Sequence, residues 1–511
     1  MNRSFQRKVV YLALIAALLI PLSVIGRPAT TSADPSAESS GGKLAELRSE
    51  YKLGQAQLGK IDPTTSAVRY VSLGLHGVAV AVLQARASEQ QKNEDWISFM
   101  SSLKQITYLQ PYYVRVWQEQ GWNVAYNISS MWDDYREKYY WVIRGFKLLH
   151  RGMEYNELEP GHPFWLGWYI AHKMGQSDEY RQFRVLFARD VENRKLLVPT
   201  TGEVDADWAE EKDSWLYARR YLQYAHDLVD RRGATLQKMA AENFYIQVPM
   251  TQSKYAEAIE REGVFGEKAR AAWKQSEVYW AAFAARELPS EHGYFFRMDG
   301  VNEYDKDLKR AKEKFDALTP GVREKIAAEK YAALPADQQA VLKVPSKDRK
   351  EHEKRLAEFA EVALAFNEMD IANRAEVPNR EEAKRAAEEL MRRKLIATEA
   401  RSTRETYKVD YWLTRSEMER TDEALTAREL FYQAMRDVDD KPWEARKAFE
   451  DGFNRWAVII KKYPGMVDDQ TAIEVTDKIK AYQRVLRQLD EPFEQSKFVL
   501  RELMEKNYMG P

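Results

Sequence analysis

Two segments, Trp117–Ala125 (WQEQGWNVA) and Trp165–Ala171 (WLGWYIA), share a Gly-Trp-x-x-Ala core, and the second follows the first by 46 residues (121 to 167). Another pair of segments repeats in the same order. Trp96–Leu103 and Trp141–Leu148 each begin with tryptophan and end with leucine seven residues later. A period of 20 to 50 residues is typical of repeated helix pairs that bury their apolar faces by stacking on each other. The repeat therefore predicts an all-α fold.

Apolar and small residues in the first copy recur at the spacing of one helix face. They are Val114, Trp117, Gly121, Ala125 and Ile128. Gly121 and Ala125 lie four residues apart on this face and leave room for a neighbouring helix to come close. The segment 159–163 (EPGHP) interrupts the pattern before the second copy and predicts a break there.

The composition excludes several classes of chemistry. The 511 residues include 78 basic and 79 acidic side chains and no cysteine. Disulfides, thiol nucleophiles and cysteine-ligated metal sites are therefore excluded. A balanced charge argues against nucleic acid as a partner, because phosphate backbones are bound by surplus lysine and arginine.

The N-terminal segment predicts export. Arg3, Arg7 and Lys8 precede an uncharged run from Val9 to Ile25, which fits either an uncleaved signal anchor or a cleaved signal peptide in residues 1–26. Positive charges before the apolar run hold the N-terminus in the cytoplasm and send the rest across the membrane. We therefore expect a single-pass inner-membrane protein of the bacterial cell envelope, with its bulk in the periplasm and residues 27–60 as a flexible linker. The anchor residues are Val9, Tyr11, Leu12, Leu14, Ile15, Leu18, Leu19, Ile20 and Leu22.

The helix pairs resemble the tetratricopeptide repeat (TPR) family. Leu166-Gly167 is similar to the Leu-Gly pair of a TPR first helix, and Gln110-Pro111 is similar to the junction between two units. The period of about 46 departs from the 34 residues of that family, and Gln120 stands where leucine is expected. Residues 120–127 (QGWNVAYN) and 152–156 (GMEYN) also resemble a group of large bacterial envelope proteins with degenerate TPR-like helices, some labelled "iron-responsive element".

This resemblance implies an α-solenoid that binds extended peptides or partner helices in a groove. Trp122 and Tyr126 would then face the groove, with Asn123 or Asn127 as hydrogen-bonding partners for a peptide main chain. The alternative interpretation places Trp122 in the packing between two units.

The remaining chain continues the helical pattern. We assign TPR-like repeats to residues 61–200, an aromatic-rich helical region to 201–300, a highly charged helical region to 301–404, and a helical hairpin with a capping helix to 405–511. Recurring aromatic residues in the second region predict core positions, namely Trp208, Trp215, Tyr221, Trp273 and Trp280. Interleaved charges in the third predict solvated helix faces. Two apolar stripes predict the hairpin: Ala427, Leu430, Phe431, Ala434, Met435 and Val438, then Ala445, Ala448, Phe449, Gly452, Phe453, Trp456, Ile459 and Ile460.

The sequence predicts no catalytic residue, metal site or cofactor. Its seven histidines form no metal-binding motif and are expected to be hydrogen-bonded structural residues. Adjacent acids such as Asp133-Asp134 and Asp439-Asp440 are expected to cap helices. The prediction is therefore a non-enzymatic scaffold for protein or peptide partners. An exported glycan-active enzyme or glycan-binding protein is the main alternative, and a transport or assembly component is a further one.

Overall fold

The computed structural model describes residues 76–506 apart from 202, 237, 468 and 469, together with the isolated positions Ala17 and Lys43. The predicted anchor and linker lie outside the described residues, apart from these two positions. None of the described helices is long and apolar enough to cross a membrane. The chain divides into two compact units, Met1–Ala258 and Ile259–Pro511.

Helices dominate both units, as predicted. The first unit contains α1 (His76–Lys92), α2 (Trp96–Leu109), α3 (Val114–Trp122), α4 (Tyr135–Tyr155), α5 (Gly161–Gly175), α6 (Tyr180–Arg189), α7 (Val191–Leu196), α8 (Ser214–Asp230) and α9 (Ala241–Tyr245), and α10 (Gln247–Arg261) carries the division between the units. A π-helix (Asn123–Ile128) and 3-10 turns (Ser129–Met131, Trp208–Glu210) join these helices.

The second unit continues with α11 (Glu267–Ala284), α12 (Val301–Leu318), α13 (Val322–Ala333), α14 (Ala336–Leu342), α15 (Glu351–Leu364), α16 (Glu368–Asn373), α17 (Arg380–Thr406), α18 (Val409–Glu419), α19 (Asp422–Asp437), α20 (Pro442–Lys462), α21 (Gln470–Gln488) and α22 (Arg501–Lys506). Its 3-10 turns are Met298–Gly300, Ser346–Asp348, Pro464–Val467 and Gln495–Lys497. A short antiparallel hairpin pairs β1 (Leu288–Pro289) with β2 (Phe295–Phe296).

Glycines let α4 pack closely against α3 and the π-helix. A Cβ added at Gly145 would lie 2.7 Å from both the backbone nitrogen of Ala125 and the carbonyl oxygen of Gly121, and one added at Gly152 would lie 2.7 Å from Cγ of Trp117. Real Cβ atoms do not approach backbone atoms this closely, so glycine is required at Gly145. The close approach expected at Gly121 and Ala125 is therefore confirmed, with α4 as the neighbouring helix.

The backbone carbonyl of Pro111, just before α3, accepts two side-chain hydrogen bonds. The indole Nε1 of Trp117 donates to the carbonyl oxygen of Pro111 at 2.8 Å, and Nδ2 of Asn156 donates to the same oxygen at 3.0 Å. Trp117 also stacks on Tyr155, with ring centroids 5.7 Å apart. These contacts join the start of α3 to the end of α4.

Some helices pack on partners that are distant in sequence. In the first unit α5 packs against α8, where a Cβ added at Gly167 would lie 2.9 Å from the carbonyl oxygen of Ala218. In the second unit α12 packs against α17. An array in which only successive helix pairs stack on each other would not contain these contacts, so the packing differs from that arrangement.

The predicted C-terminal hairpin is present as α19 and α20. Phe431 of α19 and Phe449, Phe453 and Trp456 of α20 are buried in one core. The helix predicted to follow this hairpin corresponds to α21. The prediction was wrong for one residue of the stripe, because the Met435 side chain is 40% exposed.

The aromatic residues predicted for the core of residues 201–300 are all buried. Trp208, Trp215, Tyr221, Trp273 and Trp280 are at most 4% exposed. Asp134 caps α4 by accepting from the backbone nitrogen of Arg136, as expected. Asp439-Asp440 do not cap α20, because its N-cap residue is Lys441.

Candidate functional site

The predicted partner-binding residues lie where α3 changes into a π-helix. The sequence pattern predicts one α-helix through Ile128, but α3 ends at Trp122 and Asn123–Ile128 form the π-helix. Short π-helical turns occur often at functional sites, since they bring extra side chains to one surface. The π-helix therefore singles out this segment for closer inspection.

Four aromatic rings follow one another across α3, the π-helix and α5, and we call them the ring series. Trp122 stacks on Tyr126 with centroids 5.6 Å apart and planes 12° apart. Tyr126 stacks on Trp168 at 6.3 Å, and Trp168 stacks on His172 at 4.9 Å with planes 8° apart. Offset stacking at these distances is favourable beyond simple burial, so the rings hold one another in place.

A hydrogen bond and a cation fix the centre of the ring series. The hydroxyl of Tyr126 lies 3.1 Å from Nδ1 of His172, and Nζ of Lys173 lies 4.3 Å from the centroid of the Tyr126 ring. Lys173 also donates to Oγ of Ser129 at 3.3 Å. The cation–π contact and the hydrogen bonds give the Tyr126 ring a fixed orientation.

Burial keeps the polar groups of the ring series uncharged near neutral pH. It raises the pKa of the Tyr126 phenol, with a smaller contribution from Tyr169. Burial also lowers the pKa of His172, and the neighbouring Lys173 ammonium lowers it further. Both groups are therefore neutral at pH 7, and the site offers apolar rings with hydrogen-bonding edges.

One end of the ring series is open to solvent. The Trp122 side chain is 43% exposed, whereas the other three rings are half-buried. An exposed tryptophan held against a second aromatic ring is a common feature of binding surfaces. This exposure favours a surface position for Trp122 over the interpretation in which it is packed between repeat units.

The two asparagines play different parts. The Asn123 amide pairs with the Gln91 amide, accepting from its Nε2 at 3.2 Å and donating to its Oε1 at 3.3 Å. Asn127 donates to Oδ1 of Asn123 at 2.8 Å. Within the described part of the chain, Oδ1 of Asn127 has no hydrogen-bond partner, so Asn127 is the one that can accept from a ligand.

Sequence reasoning missed Trp168, His172 and Lys173 as members of this site. The signal was present, because Trp168 and His172 follow Trp122 and Tyr126 by the same 46 residues that relate the two repeats. Equivalent positions of the two copies therefore contact each other directly.

Two other histidines of the first unit, His150 and His162, are buried. His150 contacts the carbonyl oxygen of Val198 through Nε2 at 2.9 Å, as expected for a structural residue. His162 is fully buried, and neither ring nitrogen has a hydrogen-bond partner among the residues that the structure describes, so the expectation of a hydrogen-bonded histidine was wrong there. Burial lowers the pKa of His162 to about 3. No group of three histidine or acidic side chains among the described residues could hold a metal ion.

The second unit contains a buried charge cluster that the sequence did not reveal. Arg428 donates to Glu419 at 3.1 Å and pairs with Glu474 at 3.0 Å. Arg415 donates to Glu474 at 3.1 Å and lies 3.6 Å from Glu419. Glu260 completes the cluster, which joins α10, α18, α19 and α21.

Glu260 differs from the other two carboxylates in having no cation at ion-pair distance among the described residues. Its Oε1 accepts from the indole nitrogen of Trp273 at 2.7 Å. Burial, followed by repulsion from Glu419, raises the pKa of Glu260 to about 8. At neutral pH this carboxyl is therefore mostly protonated. Glu260 and Glu419 are at most 8% exposed, so the cluster serves the packing of the helices.

Comparison with family models, with curated proteins and with solved structures finds no match for this chain. The geometry of the ring series is therefore the main basis for the function proposed below.

Proposed function

We propose that the protein is a non-enzymatic scaffold that binds an extended segment of a partner protein at the ring series. The observation that supports this proposal is the exposed indole of Trp122, which stacks on Tyr126. The same segment contains Asn127, whose amide oxygen has no hydrogen-bond partner among the described residues. Rigid aromatic anchors provide contact area at little entropic penalty, and a nearby acceptor fixes the direction of a peptide main chain. The TPR-like array suggested by the repeat would present this site in its groove.

The proposal places the scaffold on the outer face of the bacterial cytoplasmic membrane. The uncharged segment Val9–Ile25 behind three basic residues supports a signal anchor that would tether the helical units through a linker. A C-terminal alkaline phosphatase fusion tests this placement. The fusion is expected to be active, because the enzyme folds only after export, and an inactive but intact fusion would refute it.

The partner site is tested with a photo-crosslinking amino acid at position 122 in cells. We expect a discrete crosslinked band that disappears when Asn127→Ala is introduced beside the crosslinker. The same amino acid at position 443 is the matched control, because Trp443 is also an exposed tryptophan, at 60%, but lies in the second unit. An identical band pattern at both positions would refute a specific site at the ring series.

A glycan-binding protein is the second candidate. The solvent-facing indole of Trp122 favours it, since the apolar face of a sugar ring stacks on an exposed aromatic face. The Asn127 amide of the same segment can form hydrogen bonds with hydroxyl groups. Soluble cell-wall fragments titrated into the purified protein separate the two candidates. Binding that is lost in Trp122→Ala and retained in Trp443→Ala would establish glycan binding and displace the peptide proposal.

A further inference from the structure

A basic cavity of about 370 Å³ lies in the second unit. It is bounded by the first half of α11, the C-terminal ends of α18 and α20, and the turn before α19. Its lining consists of Arg270, Lys274, Glu417, Arg420, Thr421, Lys462 and Tyr463. The volume lies at the lower end of the range for small-molecule sites, roughly 300–1,000 Å³.

The two arginines of this cavity are held by protein acids. Arg270 donates to Asp422 and Glu267, and its Nη1 donates to the carbonyl oxygen of Arg420 at 2.6 Å. Arg420 pairs with Glu277 at 3.1 Å. These contacts fix both guanidinium groups at the wall and offset part of their charge.

The two lysines of the cavity are not neutralised in this way. Lys274 and Lys462 have no ion pair with any residue that the structure describes, and Nζ of Lys462 lies 5.1 Å from the centroid of the Tyr463 ring. Helix-terminal cations such as Lys462 commonly offset the negative end of a helix. Lys274 lies within α11, and Arg270 lies near its start. Neither of these two cations can therefore offset the negative C-terminal end of a helix.

The acidic and hydroxyl groups of the lining add hydrogen-bonding capacity. Tyr463 donates its hydroxyl to Oε1 of Glu417 at 3.0 Å. Burial raises the pKa of the Tyr463 phenol, and the neighbouring Lys462 side chain lowers it in part, whereas the hydrogen bond to Glu417 raises it further. The second carboxylate oxygen of Glu417 remains able to accept a hydrogen bond from a hydroxyl group.

We propose that this cavity binds the phosphate group of a small hydroxylated molecule. Two unpaired ammonium groups match the charge of a phosphate monoester dianion, and fixed guanidinium groups can add donors to its oxygens. Glu417 would repel a second phosphate but accept from a sugar-like hydroxyl. The proposal concerns the second unit only and does not depend on the partner site at the ring series.

Isothermal titration calorimetry on the full-length protein tests the proposal with glucose 6-phosphate, inorganic phosphate and glucose. We expect glucose 6-phosphate to bind more tightly than inorganic phosphate, and glucose not to bind. Removing one charge-assisted contact is expected to weaken binding about tenfold or more, in each of Lys274→Gln and Lys462→Gln. Lys268→Gln and Lys461→Gln are matched controls on the same two helices and should change the affinity less than about twofold.

All four lysines are exposed, so the variants are expected to fold, and unchanged melting curves verify this. The proposal is overturned if neither phosphate compound binds at millimolar concentration, or if the control variants lose affinity equally. It is also overturned if the protein binds only vesicles containing phosphatidylglycerol and no soluble phosphate compound, since the cavity would then recognise a lipid surface.

Discussion

Replacing the buried Glu260 by glutamine should stabilise the protein, and increasingly so as the pH rises. Glutamine keeps the shape of the side chain and can still accept from the Trp273 indole through Oε1. It cannot ionise. The variant therefore removes the penalty for placing a third carboxylate charge beside Glu419 in a buried cluster.

The size of this effect follows from linkage. The pKa of Glu260 is about 8 in the folded state and 4.5 ordinarily, so the folded protein binds the proton more tightly than the unfolded chain. The stability that this group contributes is complete below pH 4.5 and is lost as the pH rises to about 8. From pH 5 to pH 8 the loss is at most roughly 4 kcal/mol, at about 1.36 kcal/mol per pH unit. Relaxation around the new charge reduces it, and we expect about 2–4 kcal/mol.

Equilibrium urea unfolding at pH 5, 7 and 9 measures this prediction. The stability of Glu260→Gln relative to wild type should rise between pH 5 and about pH 8 and level off by pH 9. Glu423→Gln is the control, because Glu423 is exposed on the first turn of α19, and its profile should run parallel to that of wild type. A stability difference that does not vary with pH, or a Glu260→Gln protein that is less stable at pH 9, would refute the reasoning.

Two further predictions concern packing, and thermal unfolding followed by circular dichroism measures both. Gly145→Ala should destabilise the protein by about 1–3 kcal/mol, because its Cβ would meet backbone atoms of Ala125 and Gly121 at 2.7 Å; an unchanged melting temperature would contradict the close approach of α4. Phe431→Ala should cost about 3–5 kcal/mol, whereas Met435→Ala on the same helix should stay within roughly 0.5 kcal/mol because the side chain is 40% exposed. Similar losses in both variants would show that the hairpin core is misassigned.

The all-α fold and much of the core could be predicted because helix packing repeats along the chain. Apolar residues at helical spacing located the α19–α20 hairpin and the buried tryptophans. The short β-hairpin at Leu288–Phe296 was not predicted. Four residues in two strands carry too little alternation to distinguish a strand from a loop.

The candidate site was predicted in part. The resemblance to helical repeats pointed to Trp122 and Tyr126, but the π-helix has no recognisable sequence pattern, since it changes the backbone spacing without changing the apolar residues. The buried charge cluster could not be predicted. The residues of the cluster lie on four different helices, and each of them alone is typical of a solvated helix face. They include Glu260, Arg415, Arg428 and Glu474.

The contact between Tyr126 and His172 also shows that the ring series depends on both copies of the repeat. Both residues occupy the same position of the repeated motif, 46 residues apart. One more step of 46 residues from His172 leads to Ala218, which is buried in α8 and carries no ring. The ring series is therefore a property of two adjoining copies. A single copy of the motif would hold only half of the ring series, so the proposed binding surface requires both copies.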